Sequence, residues 1–243
     1  MDKGKLYGVG TGPGDPELIT LKAIKIIEKC NYIAVPNKIK ENALSYQIAL
    51  SAIPSIKDKN CICIEMPMTK KPDILEESHN KAVAIITDIL NTGNDIAFLT
   101  LGDPAIYSTY IYIHDKAKAL GYQTEIINGI PSFCAASALI NEGLANGSSC
   151  LHIIPSTYGI DESLNLPGTK VLMKAGRKMP QIKEKLRQQN ISATLIENCG
   201  MENENVYGKP VTLKNILKFA VPTIAMTVFM SFYTMVDGLF VSN

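Results

Sequence analysis

The sequence predicts an α/β protein built as two α/β domains, the first a largely parallel sheet covered by helices on both faces. Three observations carry that expectation. Short apolar runs of strand length alternate along the chain with stretches of helical periodicity, the pattern of a parallel sheet buried on both faces. The tripeptide Gly-Asp-Pro occurs at residues 14–16 and again at 102–104, each time where an apolar run gives way to a helix. The length, 243 residues, is enough for two separate cores.

Residues 6–9, Leu-Tyr-Gly-Val, read as a short strand that opens into the glycine-rich loop Gly8-Val-Gly-Thr-Gly-Pro-Gly-Asp-Pro16. Asp15 is suited to cap a helix and Pro16 to occupy its first turn, where no N–H is needed. That helix is expected to reach about Cys30, with Leu18, Leu21, Ile24 and Ile27 as the stripe that packs on the sheet. Strands follow at residues 32–35, 61–66 and 95–100, with helices near 42–53 and 76–90 between them. A helix over 105–120, capped by Asp103 and started by Pro104, is expected to end at Gly121. The domain boundary is expected there, giving an N-terminal domain of residues 1–120 and a shorter α/β domain of residues 121–208. Strands at 123–127, 150–154, 170–174 and 192–197 and helices near 132–141 and 179–189 make up this second half.

Charge excludes one class of partner. Lys and Arg number 24 against 23 Asp and Glu, which leaves no basic footprint for a phosphate backbone, so no nucleic acid is expected. Tryptophan is absent, which removes the usual stacking platform for sugars or single strands. The six cysteines contain no C-x-x-C pair and read as reduced, mostly core residues of a cytoplasmic protein. Cys61 and Cys63 share one face of a strand and, with His79, have the donor types for a metal. Packing is the favoured reading and no metal site is expected. The N-terminus carries no secretory signal pattern, because Lys5 leads directly into strand and glycine loop.

Glycines at positions 8, 10, 12 and 14 invite a dinucleotide reading, but the spacing refuses it. Counted from Gly8, the place of the third fingerprint glycine holds Pro13; counted from Gly10 it holds Asp15, which would repel a phosphate. No Gly-Lys-Ser/Thr follows, so a nucleotide P-loop is excluded as well. The loop at Leu101-Gly-Asp-Pro104 ends the most apolar strand, at the kind of carboxyl end where open α/β sheets bind ligands. Gly129-Ile-Pro-Ser132 is a third turn of the same type.

Together these stretches resemble the tetrapyrrole methylase family, the S-adenosylmethionine enzymes that methylate uroporphyrinogen-derived rings. The matching pieces are Val9-Gly-Thr-Gly-Pro-Gly-Asp15 running into Leu18-Ile-Thr-Leu-Lys-Ala23, Leu101-Gly-Asp-Pro-Ala-Ile-Tyr-Ser-Thr109, and Asn128-Gly-Ile-Pro-Ser-Phe133. Val171-Leu-Met-Lys-Ala-Gly-Arg177 and Ile196-Glu-Asn-Cys-Gly-Met201 look like the branch that methylates C-20 of precorrin-2 or cobalt-factor II. The resemblance spans about residues 4–208. It implies an S-adenosylmethionine-dependent C-methyltransferase of cobalamin biosynthesis, a cytoplasmic homodimer whose active site lies in a cleft between two α/β domains. It further implies that Pro36, Leu101, Gly102, Asp103, Ile106, Tyr107, Ser132, Phe133 and Met173 border the cofactor. Gly10, Gly12, Pro13, Gly14 and Asp15 would face the tetrapyrrole, with Lys174, Arg177 and Lys178 available for its carboxylates. Methyl transfer from a sulfonium to an electron-rich carbon asks for little acid or base, so positioning is expected to supply most of the rate. A base must still take the C-20 proton; His114 and His152 are candidates by residue type alone.

The C-terminal end departs from the family. Its second domain normally closes with one more strand that touches the adenosine, and this chain is expected to lack it, with weaker cofactor binding as the consequence. Residues 219–236 instead form an eighteen-residue run without charge, preceded by Lys209, Lys214 and Lys218. Residues 211–243 resemble the first transmembrane helix of multidrug and toxin extrusion transporters. Membrane contact is therefore expected only through an apolar helix in residues 209–243. The alternative this tail leaves open is a chimeric or membrane-tethered protein whose methylase-like portion is catalytically impaired.

Overall fold

The computed structural model describes residues 2–67, 69, 71–155 and 159–207. Its first part alternates strand and helix: β1 (Leu6–Gly10), α1 (Leu21–Lys29), β2 (Tyr32–Val35), α2 (Leu44–Ala52), β3 (Asn60–Cys63), α3 (Pro72–Asn91), β4 (Ile96–Thr100), α4 (Tyr110–Ala119) and β5 (Thr124–Ile127). The strands form one sheet in the order β3-β2-β4-β1-β5, and all four pairings are parallel. The expected α/β architecture is present.

Side-chain alternation along the strands explains why the sheet is buried on both faces. On one face Tyr7, Val9, Ile33, Val35, Ala97, Leu99 and Ile127 pack with Ala23 and Ile27 of α1 and with Tyr46, Ile48 and Ala49 of α2. On the other, Leu6, Ala34, Ile96 and Phe98 meet Ala82, Val83, Ile86 and Leu90 of α3 and Tyr110, Ile113 and Ala117 of α4. Neighbouring strand residues go to opposite clusters because successive side chains point to opposite faces. The fully buried Tyr110 ring lies over Gly8, where a Cβ would overlap the ring, and 5.5 Å from the Phe98 ring centroid. Its hydroxyl donates to the Glu125 carbonyl at 3.3 Å.

Three expectations need correction. The single helix expected from Asp15 to Cys30 is two pieces, a 3-10 turn at Pro16–Leu18 and then α1. Asp15 caps the turn by accepting from the Glu17 N–H at 2.8 Å, while Thr20 caps α1 by accepting from the Ala23 N–H at 3.2 Å. Leu21, now the first residue of α1, is 76% exposed, and Ala23 with Ile27 forms the buried stripe. Next, α4 starts at Tyr110, where Ser108 Oγ accepts from the Tyr110 N–H at 3.1 Å. Its end at Gly121 is as expected: φ there is +81°, and the Tyr122 N–H reaches back to the Ala117 carbonyl. Finally, β5 is the outer strand of the first sheet, so no boundary falls at residue 120.

The described residues instead divide into a unit that runs to His152 and includes Pro167–Val171 and Glu197–Asn205, and a second unit of Ile153–Leu166, Leu172–Ile196 and residues 206–207. Along the later part of the chain come α5 (Ser132–Leu139), β6 (Leu151–Pro155), α6 (Ile160–Leu164), β7 (Thr169–Met173), α7 (Met179–Gln188), β8 (Leu195–Glu197) and β9 (Asn205–Tyr207). Among the described residues β6 pairs with β7 and β8 with β9 as separate two-stranded ladders. Within the second unit Leu164 and Ile182 are buried, and Lys185 on α7 pairs with Asp161 on α6. The missing closing strand and the membrane-like helix both fall on residues 208–243, outside the described residues. No described helix is long and apolar enough to cross a membrane.

The cysteines divide. Cys30 is buried and Cys61 half-buried, and desolvation pushes both thiols up to about 12. Cys63, Cys134 and Cys150 are exposed, contrary to the core reading. No group of three potential metal-ligating side chains occurs among the described residues.

At the amino edge of the sheet Glu125 bridges Lys5 at 2.6 Å and Lys22 at 2.8 Å, while Lys29 pairs with Asp95 at 2.8 Å. The hydrogen bonds from Lys22 and Lys5 hold the Glu125 carboxyl down to about 2. A depressed carboxyl stabilises the fold above its ordinary value and loses that contribution as pH falls through its folded value. Glu125→Gln is therefore expected to lower stability at neutral pH by less than about 1 kcal/mol, the group being partly exposed, with the gap to the parent closing as pH drops from about 4.5 toward 2. Urea unfolding across that range checks it. The Gly8 packing gives a second expectation: Gly8→Ala costs about 1–3 kcal/mol by overpacking. Truncating Tyr110 to Ala in the same chain relieves the overlap, so the pair is non-additive in a double-mutant cycle.

Candidate active site at the carboxyl edge of the sheet

Because every strand of the large sheet is parallel, the loops after β1, β2, β4 and β5 leave from one edge. That edge gathers residues 10–15, Pro36, residues 101–107 and residues 128–133, all expected from sequence to form a site. Its centre is built from backbone. Gly12 and Gly102 form an antiparallel bridge, the Gly102 N–H donating to the Gly12 carbonyl at 2.8 Å and the Gly12 N–H to the Gly102 carbonyl at 3.4 Å. Both have positive φ, +77° and +71°, a conformation that glycine adopts without steric cost. A Cβ on Gly10 would lie 2.5 Å from the Gly102 carbonyl oxygen and 2.6 Å from the Gly129 nitrogen; one on Gly129 would overlap the Gly102 carbonyl. Side chains at these positions would therefore force the loops after β1, β4 and β5 apart.

Asp103 locks the arrangement. It is buried, and its Oδ1 accepts from the Ala105 N–H at 2.7 Å. Oδ2 accepts from the Gly129 N–H at 3.1 Å and from Asn128 Nδ2 at 3.2 Å. The carboxylate thus joins the β4 loop to the β5 loop, and is not the helix cap the dipeptide suggested. Three N–H donors compensate its burial. Beside it, Thr100 Oγ1 and Ser108 Oγ lie 2.9 Å apart in a buried hydrogen bond, and Thr11 Oγ1 donates to the Thr100 carbonyl at 3.2 Å. Between these anchors the chain turns sharply enough to place Tyr107 at φ +48°, an uncommon conformation for a bulky residue.

The result is an apolar lip on a rigid frame. Leu101 is 45% exposed although it directly follows a fully buried strand, Tyr107 is 44% exposed, and Ile106 and Pro36 are half-buried. At Gly102 a Cβ would make only an ordinary contact, with the Ile130 carbonyl oxygen at 3.9 Å, so this glycine, unlike Gly10 and Gly129, is called for by its positive φ and not by crowding. At the start of α5, Ser132 is exposed and Phe133 half-buried. Met173, half-buried at the end of β7, and Lys174, exposed at φ +57°, belong to the second unit. The side chain of Arg177 lies outside the description.

The two histidines named as proton acceptors are engaged elsewhere. His114 Nδ1 is 3.3 Å from the Tyr110 hydroxyl, and Nε2 is 3.4 Å from Thr124 Oγ1. Thr124 pairs with Leu6 at the opening of β1, so His114 sits toward the amino edge, away from the glycine loops. His152 Nε2 donates to the Pro167 carbonyl at 2.9 Å. A cavity of about 290 Å³ opens between α3 and α4, with His79 stacked on Tyr112 at 4.9 Å in its wall, and none of the expected site residues lines it. Sequence reasoning missed Asn128 as a partner of Asp103, and it missed that Cys199 and Gly200 lie against Gly14 and Asp15. Both contacts join residues far apart in the chain, and local pattern carries no signal for them.

The family model described as Tetrapyrrole (Corrin/Porphyrin) Methylases matches residues 5–216. A protein of Methanocaldococcus jannaschii named "Probable cobalt-precorrin-2 C(20)-methyltransferase" is 30% identical over 83% of this chain and 86% of its own length. The cobalt-precorrin-2 C(20)-methyltransferase of Salmonella typhimurium is 30% identical over 83% of this chain and 84% of its own. Among solved structures, a cobalt precorrin-4 methyltransferase matches with a TM-score of 0.67 at 19% identity, covering 91% of this chain and 90% of that one. The uroporphyrin-III C-methyltransferase of Thermus thermophilus, in complex with S-adenosylhomocysteine, matches with a TM-score of 0.60 at 20% identity, covering 84% and 87%.

The Asp103 junction has a measurable consequence. Asp103→Asn turns one acceptor oxygen into a donor that faces at least one N–H in either amide orientation, and is expected to cost about 1–3 kcal/mol of stability in urea unfolding. A cost near zero would mean that the carboxylate does not hold the β4 and β5 loops together.

Proposed function

The chain belongs to the tetrapyrrole methylase family, and we propose that it transfers the methyl group of S-adenosylmethionine to C-20 of a precorrin-2-type ring in cobalamin biosynthesis. It is a C-methyltransferase of that family. The observation that carries the reading is the match, at 30% identity over most of both chains, to relatives named for methylation at C(20). Two of these relatives are named for the cobalt-loaded ring, and we take that ring as the substrate.

The carboxyl edge of the sheet fits this cofactor. An exposed apolar lip of Leu101 and Tyr107 flanks Gly102, which carries no side chain, and this suits a ligand that brings an apolar adenosine and a methionine chain against backbone. On the proposed reading Pro36, Leu101, Gly102, Asp103, Ile106, Tyr107, Ser132 and Phe133 hold it. Asp103 contributes through the loops it joins, since both of its oxygens already accept from N–H groups. Gly10, Gly12, Pro13, Gly14 and Asp15 face the tetrapyrrole. The working form is taken to be a cytoplasmic homodimer.

When bound, S-adenosylmethionine supplies a methyl group already activated on sulfur. The chain has to orient the acceptor carbon, exclude water and keep the loops still. Such positioning can lower the barrier by about 7–11 kcal/mol, which makes a rigid glycine frame more valuable here than a strong acid or base. His114 is turned toward the opposite edge of the sheet and takes no part.

The test is transfer of a labelled methyl group to enzymatically prepared precorrin-2 and its cobalt-loaded form, with S-adenosylhomocysteine binding measured in parallel. Incorporation into the cobalt-loaded ring is the expected outcome. Exclusive use of the metal-free ring overturns the choice of ring, and tight homocysteine-product binding without transfer to either ring overturns the choice of substrate.

A further inference from the structure

The glycine turn expected to face substrate has a second wall that the family resemblance does not supply. Residues 197–205 belong to the first unit, and there Gly14 and Gly200 meet backbone to backbone. A Cβ on Gly14 would overlap the Cys199 carbonyl and lie 3.0 Å from Met201 Cγ; a Cβ on Gly200 would lie 2.5 Å from the Asp15 nitrogen and 3.0 Å from Asp15 Cβ. Each glycine is therefore fitted to the other loop. Asn198 and Gly200 both have positive φ, +53° and +76°, and the loop closes on itself. Asn198 Nδ2 donates to the Asn203 carbonyl at 3.2 Å, the Met201 N–H to the Asn198 carbonyl at 2.9 Å, and the Gly200 N–H to Glu204 Oε2 at 2.7 Å. A loop so bonded is a stiff support.

Residues 12–15 are thus held from two sides. The Gly12–Gly102 bridge ties one side to the proposed cofactor loop, and residues 199–201 bury Gly14 from the other. We infer that the loop of residues 198–204 is a clamp that positions the Gly12, Pro13, Gly14 and Asp15 turn against the tetrapyrrole, with Gly200 and Glu204 as positioning residues for substrate. The inference rests on the proposed function for what that turn faces, and on the observed contacts for the clamp. The cofactor loop has its own anchors, Asp103 and the Thr100–Ser108 bond, so loosening the clamp should leave it in place.

The experiment uses the full chain and the variants Gly200→Ala and Glu204→Ala, the second keeping the question open where the first fails to fold. Amide hydrogen exchange is expected to speed up in residues 10–20 and 196–205 and to stay at parental rates in residues 100–110. In methyl-transfer kinetics the KM for tetrapyrrole is expected to rise and kcat/KM to fall, up to about a hundredfold for Gly200→Ala, as a misplacement of order 1 Å does, while S-adenosylhomocysteine binding stays within about twofold of the parent. Unchanged exchange in residues 10–20, or equal losses of substrate and S-adenosylhomocysteine binding, overturns the clamp. The two readings fail separately. A parent chain inactive on both rings defeats the proposed substrate, and the exchange pattern alone then decides the clamp.

Discussion

The site depends on one steric constraint, the contact of three glycines where three parallel strands end. Gly10 and Gly129 approach each other and the Gly102 carbonyl so closely that neither has room for a Cβ. A methyl group at Gly10 or Gly129 would spread the loops by more than the tolerance of a hydrogen bond, and the bridge between Gly12 and Gly102 would go with it. Backbone contact of this kind suits a reaction governed by placement, because peptide units have fewer ways to relax than side chains do.

The repeated Gly-Asp-Pro tripeptide shows how context assigns a role. In residues 14–16 the aspartate caps a short turn, its oxygen taking the N–H two residues on. In residues 102–104 the same local bond forms through one oxygen, and the second oxygen reaches a strand end twenty-six positions away. The difference lies in what the sheet places nearby. Asp103 follows β4, whose neighbour β1 lies beside β5, so the Asn128–Gly129 turn comes within reach. Asp15 follows β1 but stands farther from its strand, against the Cys199–Met201 backbone.

The two edges of the sheet divide the labour. At the amino edge lysines and carboxylates pair across β1, β4 and β5, partly exposed and worth little individually. At the carboxyl edge glycines, buried hydroxyls and one hydrogen-bonded carboxylate make the frame. His114 belongs to the first region by its contact with Thr124, away from the glycine loops. A side chain's chemistry matters only at the edge to which its helix delivers it.

Sequence alone determined the alternation of strand and helix, the burial of β1 and β4, the carboxyl-edge position of the three glycine turns and the refusal of a dinucleotide fingerprint. Each of these is written in local periodicity or spacing, and local forces settle them. The family was legible for the same reason, since its motifs are short loops at strand ends. Tertiary structure decided the rest. It moved β5 into the first sheet, because a strand's partner depends on crossover and register, which no local pattern encodes. It started α4 at Tyr110, where the Ser108 hydroxyl takes the first N–H. It turned Leu21 to solvent, because Thr20 offered a better cap than the chain before it. It set residues 199–201 against residues 14–15, a contact between segments nearly two hundred positions apart whose only trace in the chain is a pair of glycines, and glycine by itself does not say what needs the space.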